Sequence, residues 1–112
     1  MSQVAAFDVT LYKLQRDTLG YFLQETDPTN GLVPDSTREG SPASIAAIGL
    51  GLAVYTVGCE RAFISRSEAV ERTLTTLRFF WNSPQGTAPD ATGYKGFYYH
   101  FLGIHTGKRA WE

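Results

Sequence analysis

The sequence holds one cysteine, one methionine and two histidines among its 112 residues. A lone Cys59 excludes an intrachain disulfide framework, and its position at the end of an apolar stretch reads as a small buried thiol. His100 and His105 have no cysteine or acidic neighbour in the chain, so they form a poor ligand set: no metal and no cofactor is expected. Charge of either sign is not in excess, since ten basic side chains face eleven acidic ones for a formal net charge of -1. Without a basic footprint for phosphate backbones or anionic lipid, neither nucleic acid nor a membrane is an expected partner. The first seven residues lack a basic region followed by a long apolar one, so no secretory signal is expected. As it stands the sequence reads as cytoplasmic, or as periplasmic if a leader was removed. The longest run of low charge, residues 43–59, touches the lower limit for crossing a bilayer but is interrupted by Ser44, Thr56 and three glycines. A buried core helix is the expected form.

Two chemical devices are also missing. No Gly-x-Ser-x-Gly elbow and no Gly-x-x-x-x-Gly-Lys phosphate loop appears, and Gly49-Leu50-Gly51 falls inside a helical stretch, not between strand and helix.

What is present is three helical stretches. Over 8–25, Leu11, Leu14, Leu19, Phe22 and Leu23 recur at helical spacing, with Asp8 expected to cap the first turn. Turn formers from Thr26 onward predict a loop over 26–41. Ser41-Pro42 is a start signal for a second helix over 42–61, apolar on every side, with Gly49 and Gly51 allowing another backbone close. Such a helix needs to be surrounded. Ser65-Arg66-Ser67-Glu68 is a capping box, with Ile64 before it as a staple residue, and it opens a third helix over 66–82. On that helix Val70, Leu74, Leu77 and Trp81 form the expected core stripe, while Arg66, Glu68, Glu71, Arg72, Thr75 and Arg78 can face water. A loop then leads to the glycine- and aromatic-rich segment 93–103, suited either to an extended strand or to a cavity-lining loop, where flat rings stack on sugars and polar tips hold hydroxyls. The order amphipathic, buried, amphipathic fits a double ring of helices; a small three-helix bundle also remains open.

Four blocks carry a resemblance. They are Asp27-Pro28 followed by Gly31-Leu32-Val33-Pro34-Asp35, then Ser44-Ile45-Ala46-Ala47-Ile48-Gly49-Leu50-Gly51-Leu52, then Ser65-Arg66-Ser67-Glu68-Ala69, then Gly96-Phe97-Tyr98-Tyr99-His100-Phe101-Leu102. In this order they resemble the bacterial glucoamylase-like family, whose members include endo-β-1,2-glucanases and domains of cyclic β-1,2-glucan synthases. The resemblance implies an all-α chain forming the N-terminal portion of an (α/α)6 toroid, one partial domain over 1–112. It implies sugar bound at one end of the inner ring and hydrolysis by carboxyl groups. The sequence departs from the family at Gly103, where an acidic residue is common, and at Ser36, where arginine is. The family pattern runs on past Glu112 into a further acidic motif, so a truncated domain, inactive alone, is expected.

Glycoside hydrolysis uses two carboxyls flanking the scissile bond. The candidate catalytic carboxylates are Asp35 and Glu112; for Asp35 the commoner use is a turn or cap. Asp35, Tyr98, Tyr99, His100, Arg109 and Trp111 are the candidate substrate-binding residues, with a glucan or oligosaccharide as partner. His100 among aromatics is as often a hydrogen-bonded core residue, and Arg109 and Trp111 can instead pack a terminal connection. If the segment is extended, Tyr98 and Tyr99 point to opposite faces and one of them lines a pocket. The alternative function is a non-catalytic carbohydrate-binding or structural module. Two amphipathic helices cannot wrap the apolar one, so a homo-oligomer or domain swap is expected of the isolated chain.

Overall fold

Helix α1, Gln3–Glu25, begins upstream of the expected start. The computed structural model describes residues 3–111, with side chains from Asp8 onward. Nothing in Gln3-Val4-Ala5-Ala6-Phe7 breaks a helix and alanine favours one, so Asp8 lies inside the helix and does not cap it. The helix ends before Pro28, which disfavours helical conformation in the residue preceding it.

The second helix starts later than its signal. Strand β1, Ala43–Ser44, comes first, and α2 spans Ile45–Glu60 with Ser44 at its N-cap. Ser41-Pro42 does not open it, because the backbone there is already committed. The Pro42 carbonyl accepts from Asp35 N at 2.8 Å, the Ser41 hydroxyl accepts from Ser36 N at 3.1 Å, and Ala43 pairs with Leu102. Pairing with a distant segment outweighs the local start signal.

Helix α3, Arg66–Asn82, is capped by Ser65, whose hydroxyl accepts from Glu68 N at 3.1 Å. The reciprocal half of the box is replaced: Glu68 Oε1 accepts from Arg72 Nε at 3.1 Å. The face of α3 that packs is not the expected stripe. Ala69 and Thr76 are buried, whereas Val70, Leu74, Leu77 and Trp81 are exposed, Trp81 at 89%. The reason lies in what α3 meets. The Arg72 guanidinium sits 5.8 Å from the Tyr55 ring and reaches the Leu23 carbonyl, and the Thr76 hydroxyl bonds the Arg72 carbonyl at 3.2 Å, so polar side chains cover the core with their hydrogen bonds made.

Helix α2 lies between the other two. Tyr55 and Ile48 fill the centre with Leu19, Phe22, Leu32, Val33, Ala43 and Leu102. A Cβ on Gly51 would stand 3.3 Å from Phe22, and one on Gly58 3.1 Å from Leu19, so these two glycines admit α1, while the expected Gly49 meets nothing within 4 Å. The outer face of α2 is open, Leu50 at 62% and Val57 at 41% exposure, so the described residues do not surround the apolar helix.

About half of the chain is helical. The rest includes two small antiparallel sheets: β1 with β4 (Phe101–Leu102), and β2 (Gly93–Tyr94) with β3 (Phe97–Tyr98). The β1–β4 pair is widened by bridges from Pro34 to Ala43 and from Leu102 to Arg109. Four extended stretches therefore lie side by side at the start of α2. Ala43 and Leu102, directly opposite each other, are both fully buried. Among the described residues no helix is long and apolar enough to cross a membrane.

Candidate functional site

The small sheet collects residues far apart in the chain. The Ile45 amide, the first of α2, donates to the His100 carbonyl at 2.8 Å, so the head of the apolar helix is tied to the aromatic segment. The Ala110 amide donates to the Phe101 carbonyl at 3.0 Å, which draws the last described residues alongside.

On this frame the side chains form a continuous series of contacts. The Arg109 guanidinium stands 4.3 Å over the Tyr99 ring, and its Nε donates to the Trp111 carbonyl at 2.8 Å. Trp111 meets Phe101 edge-on at 4.7 Å between centroids, and Phe101 stacks flat under His100 at 4.2 Å and 10°. A guanidinium held over a ring keeps its orientation without a carboxylate partner. Tyr99, Phe101 and Arg109 are half-buried, while His100 and Trp111 are exposed, Trp111 at 60%. The result is an aromatic surface with open ring faces beside a fixed donor fork, an arrangement that can stack on a sugar ring and hold its hydroxyls.

The remaining candidates fall as follows. Asp35 is exposed and sits on the outer stretch of the sheet, its amide bonded to Pro42 and the preceding Pro34 carbonyl bonded by the Tyr21 hydroxyl. Burial raises the Tyr21 pKa, and the charges of Glu25 and Asp35 add to this, so the hydroxyl remains a donor. Tyr98 stands apart from Tyr99: its ring meets Phe80 at 4.6 Å, and it borders an apolar groove with Ile45, Leu52, Leu77 and Trp81. Glu112 lies outside the described residues. Phe101, absent from the sequence candidates, is the ring that joins His100 to Trp111; the alternation of the aromatic segment was the available signal.

His105 lies in a turn and has the acidic partner that its sequence neighbours do not supply. Its Nδ1 lies 2.8 Å from Asp27 Oδ2, and the Asn30 amide donates to the Ile104 carbonyl at 3.0 Å, so loops 26–32 and 103–107 are pinned together. Burial acts to raise the Asp27 carboxyl, but the hydrogen bond from His105 and those from the Thr29 and Asn30 amides outweigh it and hold the group below the ordinary 3.8. Against an ionised carboxylate, Nδ1 carries the proton. Among the described residues no group of three or more His, Cys, Asp or Glu side chains gathers to hold a metal.

No protein-family profile and no curated protein matches the sequence. Solved structures do match. A candidate glucoamylase from Bacteroides uniformis ATCC 8492 aligns over 88% of this chain and 23% of its own, with 30% identity and a TM-score of 0.72. The resemblance is to a glucoamylase-like protein. A second glucoamylase-like structure, from Bacteroides fragilis NCTC 9343, aligns over 89% of this chain and 24% of its own at 24% identity and a TM-score of 0.71. An endo-β-1,2-glucanase from Chitinophaga pinensis, solved with sophorotriose and glucose, aligns over 96% of this chain and 25% of its own at 22% identity and a TM-score of 0.71. At these two identities the likeness is one of fold. The chain thus spans about a quarter of the length of the glucoamylase-like structures it matches.

Proposed function

We propose that residues 1–112 form one partial domain, the N-terminal portion of an (α/α)6 toroid in a glycoside hydrolase acting on β-glucan, β-1,2-linked glucan included. In this reading the chain supplies part of the sugar-binding wall and does not hydrolyse glucan alone. The observation that carries it is the aromatic surface of His100, Phe101 and Trp111 beside the Arg109 fork at the head of α2. Asp35 is the carboxylate on the same sheet and Glu112 the other candidate. A retaining or inverting hydrolase needs two carboxyls at a set separation across the bond, and the surface as described is a binding wall.

A second reading, a non-catalytic carbohydrate-binding module, is favoured at Gly103. A Cβ there would stand 2.4 Å from Thr106 Oγ1, inside a turn closed by Gly107 N on the Gly103 carbonyl at 2.8 Å. The acidic side chain that the family resemblance implies at this position would displace the Thr106 hydroxyl, which accepts from Lys108 N at 3.2 Å.

Calorimetric titration with β-1,2-linked glucotriose, beside an assay for released reducing sugar, tests both readings. Binding without release is expected. Release of sugar would overturn the claim of inactivity, and no heat at millimolar ligand would remove the binding wall.

A further inference from the structure

Two apolar surfaces on opposite flanks of α2 remain uncovered, and their shapes differ. One is a groove between α1 and α2 of about 840 Å³, walled by Leu11, Leu14, Leu50, Val54 and Val57. The other is a ridge, the α3 stripe of Val70, Leu74, Leu77 and Trp81, exposed at 45, 38, 49 and 89%. Positions at that spacing lie along one side of a helix, the pattern by which an amphipathic helix enters an apolar groove. The chain is also stretched: its radius of gyration is 16.2 Å over extents of 59 × 28 × 22 Å, against roughly 13 Å for a self-covering domain of this size.

We propose that the α1–α2 groove receives the α3 ridge of a second copy of this chain. The area is adequate for this and for little more. A 17-residue helix is about 26 Å long, and a face two helices wide is about 20 Å across. That gives roughly 500 Å² on each copy and roughly 1,000 Å² in total, the size at which a specific but weak contact begins. Groove and ridge lie on opposite flanks of α2, so one pair of copies cannot engage both at once and the contact is heterologous. Copies add head to tail, and association does not stop at two unless a ring closes. The inference concerns the 112-residue chain by itself, and neither surface includes Asp35, His100, Arg109 or Trp111.

Light scattering of the purified chain across about 10 µM to 1 mM, the span of weak association, decides it. The average mass is expected to climb past twice 12.4 kDa with concentration. Leu50→Glu spoils the groove and Leu74→Glu the ridge, both at exposed positions, and circular dichroism checks that each variant keeps its helices. Each variant alone is expected to stay monomeric. An equal mixture retains one intact groove and one intact ridge, and it is expected to give a dimer that grows no further. A wild-type chain monomeric at 1 mM overturns the proposal. So does loss of association in only one of the two variants, which would mean that like faces pair, or a folded mixture that stays monomeric.

Discussion

Asp27 Oδ2 and His105 Nδ1 lie 2.8 Å apart although 78 positions separate them in the chain. Asp27 is nearly buried at 10% side-chain exposure and His105 is open to solvent at 80%, so the pair closes the seam between two loops from its outer side. The folded carboxyl titrates below 3.8, so folding favours its ionised form. That contribution is complete above the ordinary carboxyl range and is lost as pH falls through the lowered folded value. His105→Ala removes the largest of the lowering hydrogen bonds. Urea unfolding at pH 6.5 and pH 3 should show a smaller acid loss in the variant, by less than about 1 kcal/mol given the exposure of the ring. Equal losses in the two proteins would mean that the backbone amides alone hold the carboxylate.

Gly31 is the tightest point between the first loop and α3. Its φ is +77°, and a Cβ there would stand 2.2 Å from Thr76 Oγ1 and 2.8 Å from Thr76 Cα. The second of these is backbone and cannot rotate away. Gly31→Ala is expected to cost about 3 kcal/mol or more, by strain and overpacking together. Gly20, inside α1 with nothing within 4 Å, is the contrast: Gly20→Ala should stabilise by about 0.5–1 kcal/mol. Thermal melting of the two variants should move in opposite directions.

At the end of α2 the chain turns through Ala62 at φ 61°, with Ala62 N and Phe63 N bonded to the Cys59 and Gly58 carbonyls at 3.0 and 2.8 Å. This is a left-handed helix terminus built without its usual glycine. Ala62→Gly should therefore raise stability by about 1 kcal/mol in chemical denaturation, since relief of the conformation exceeds the added unfolded-state entropy. A destabilised variant would indicate that the alanine methyl makes a contact that matters more.

Trp111 and Tyr21 separate binding from support. Trp111→Ala, at 60% exposure, should leave the melting temperature nearly unchanged and weaken glucan binding roughly tenfold through loss of a stacking face. Tyr21→Phe removes the donor to the Pro34 carbonyl and should cost about 1 kcal/mol of stability, with a severalfold loss of affinity through Asp35. Affinity unaltered in both variants would place the sugar elsewhere.

Much of the frame is local and therefore legible. The first helix follows from apolar spacing, the second from an uninterrupted apolar run, and the third from Ser65, whose cap depends only on neighbours three residues away. The start of α2 could not be read in the same way: Ser41-Pro42 is a sound local signal, overruled by a strand pairing 59 positions distant between Ala43 and Leu102. Nor could the packed face of α3. Composition marks Val70, Leu74, Leu77 and Trp81 as core, and only the docking of Gly31 and Tyr55 against Thr76 and Arg72 turns that stripe outward.

The candidate site divides along the same line. The aromatic run 97–101 stands out in the sequence as a candidate, suited to an extended strand or to a cavity-lining loop. Its partners do not. Arg109 over Tyr99 and Trp111 against Phe101 exist because the chain doubles back after Gly103 and adds a further extended stretch to the sheet. The sequence by itself determined that three helices form and where the aromatic segment lies, since both depend on residue types within a few turns of one another. Tertiary structure decided which faces are covered, which carboxylate meets His105 and which two apolar surfaces remain open. Those depend on long-range backbone pairing and on close approach at single glycines, for which no local pattern stands.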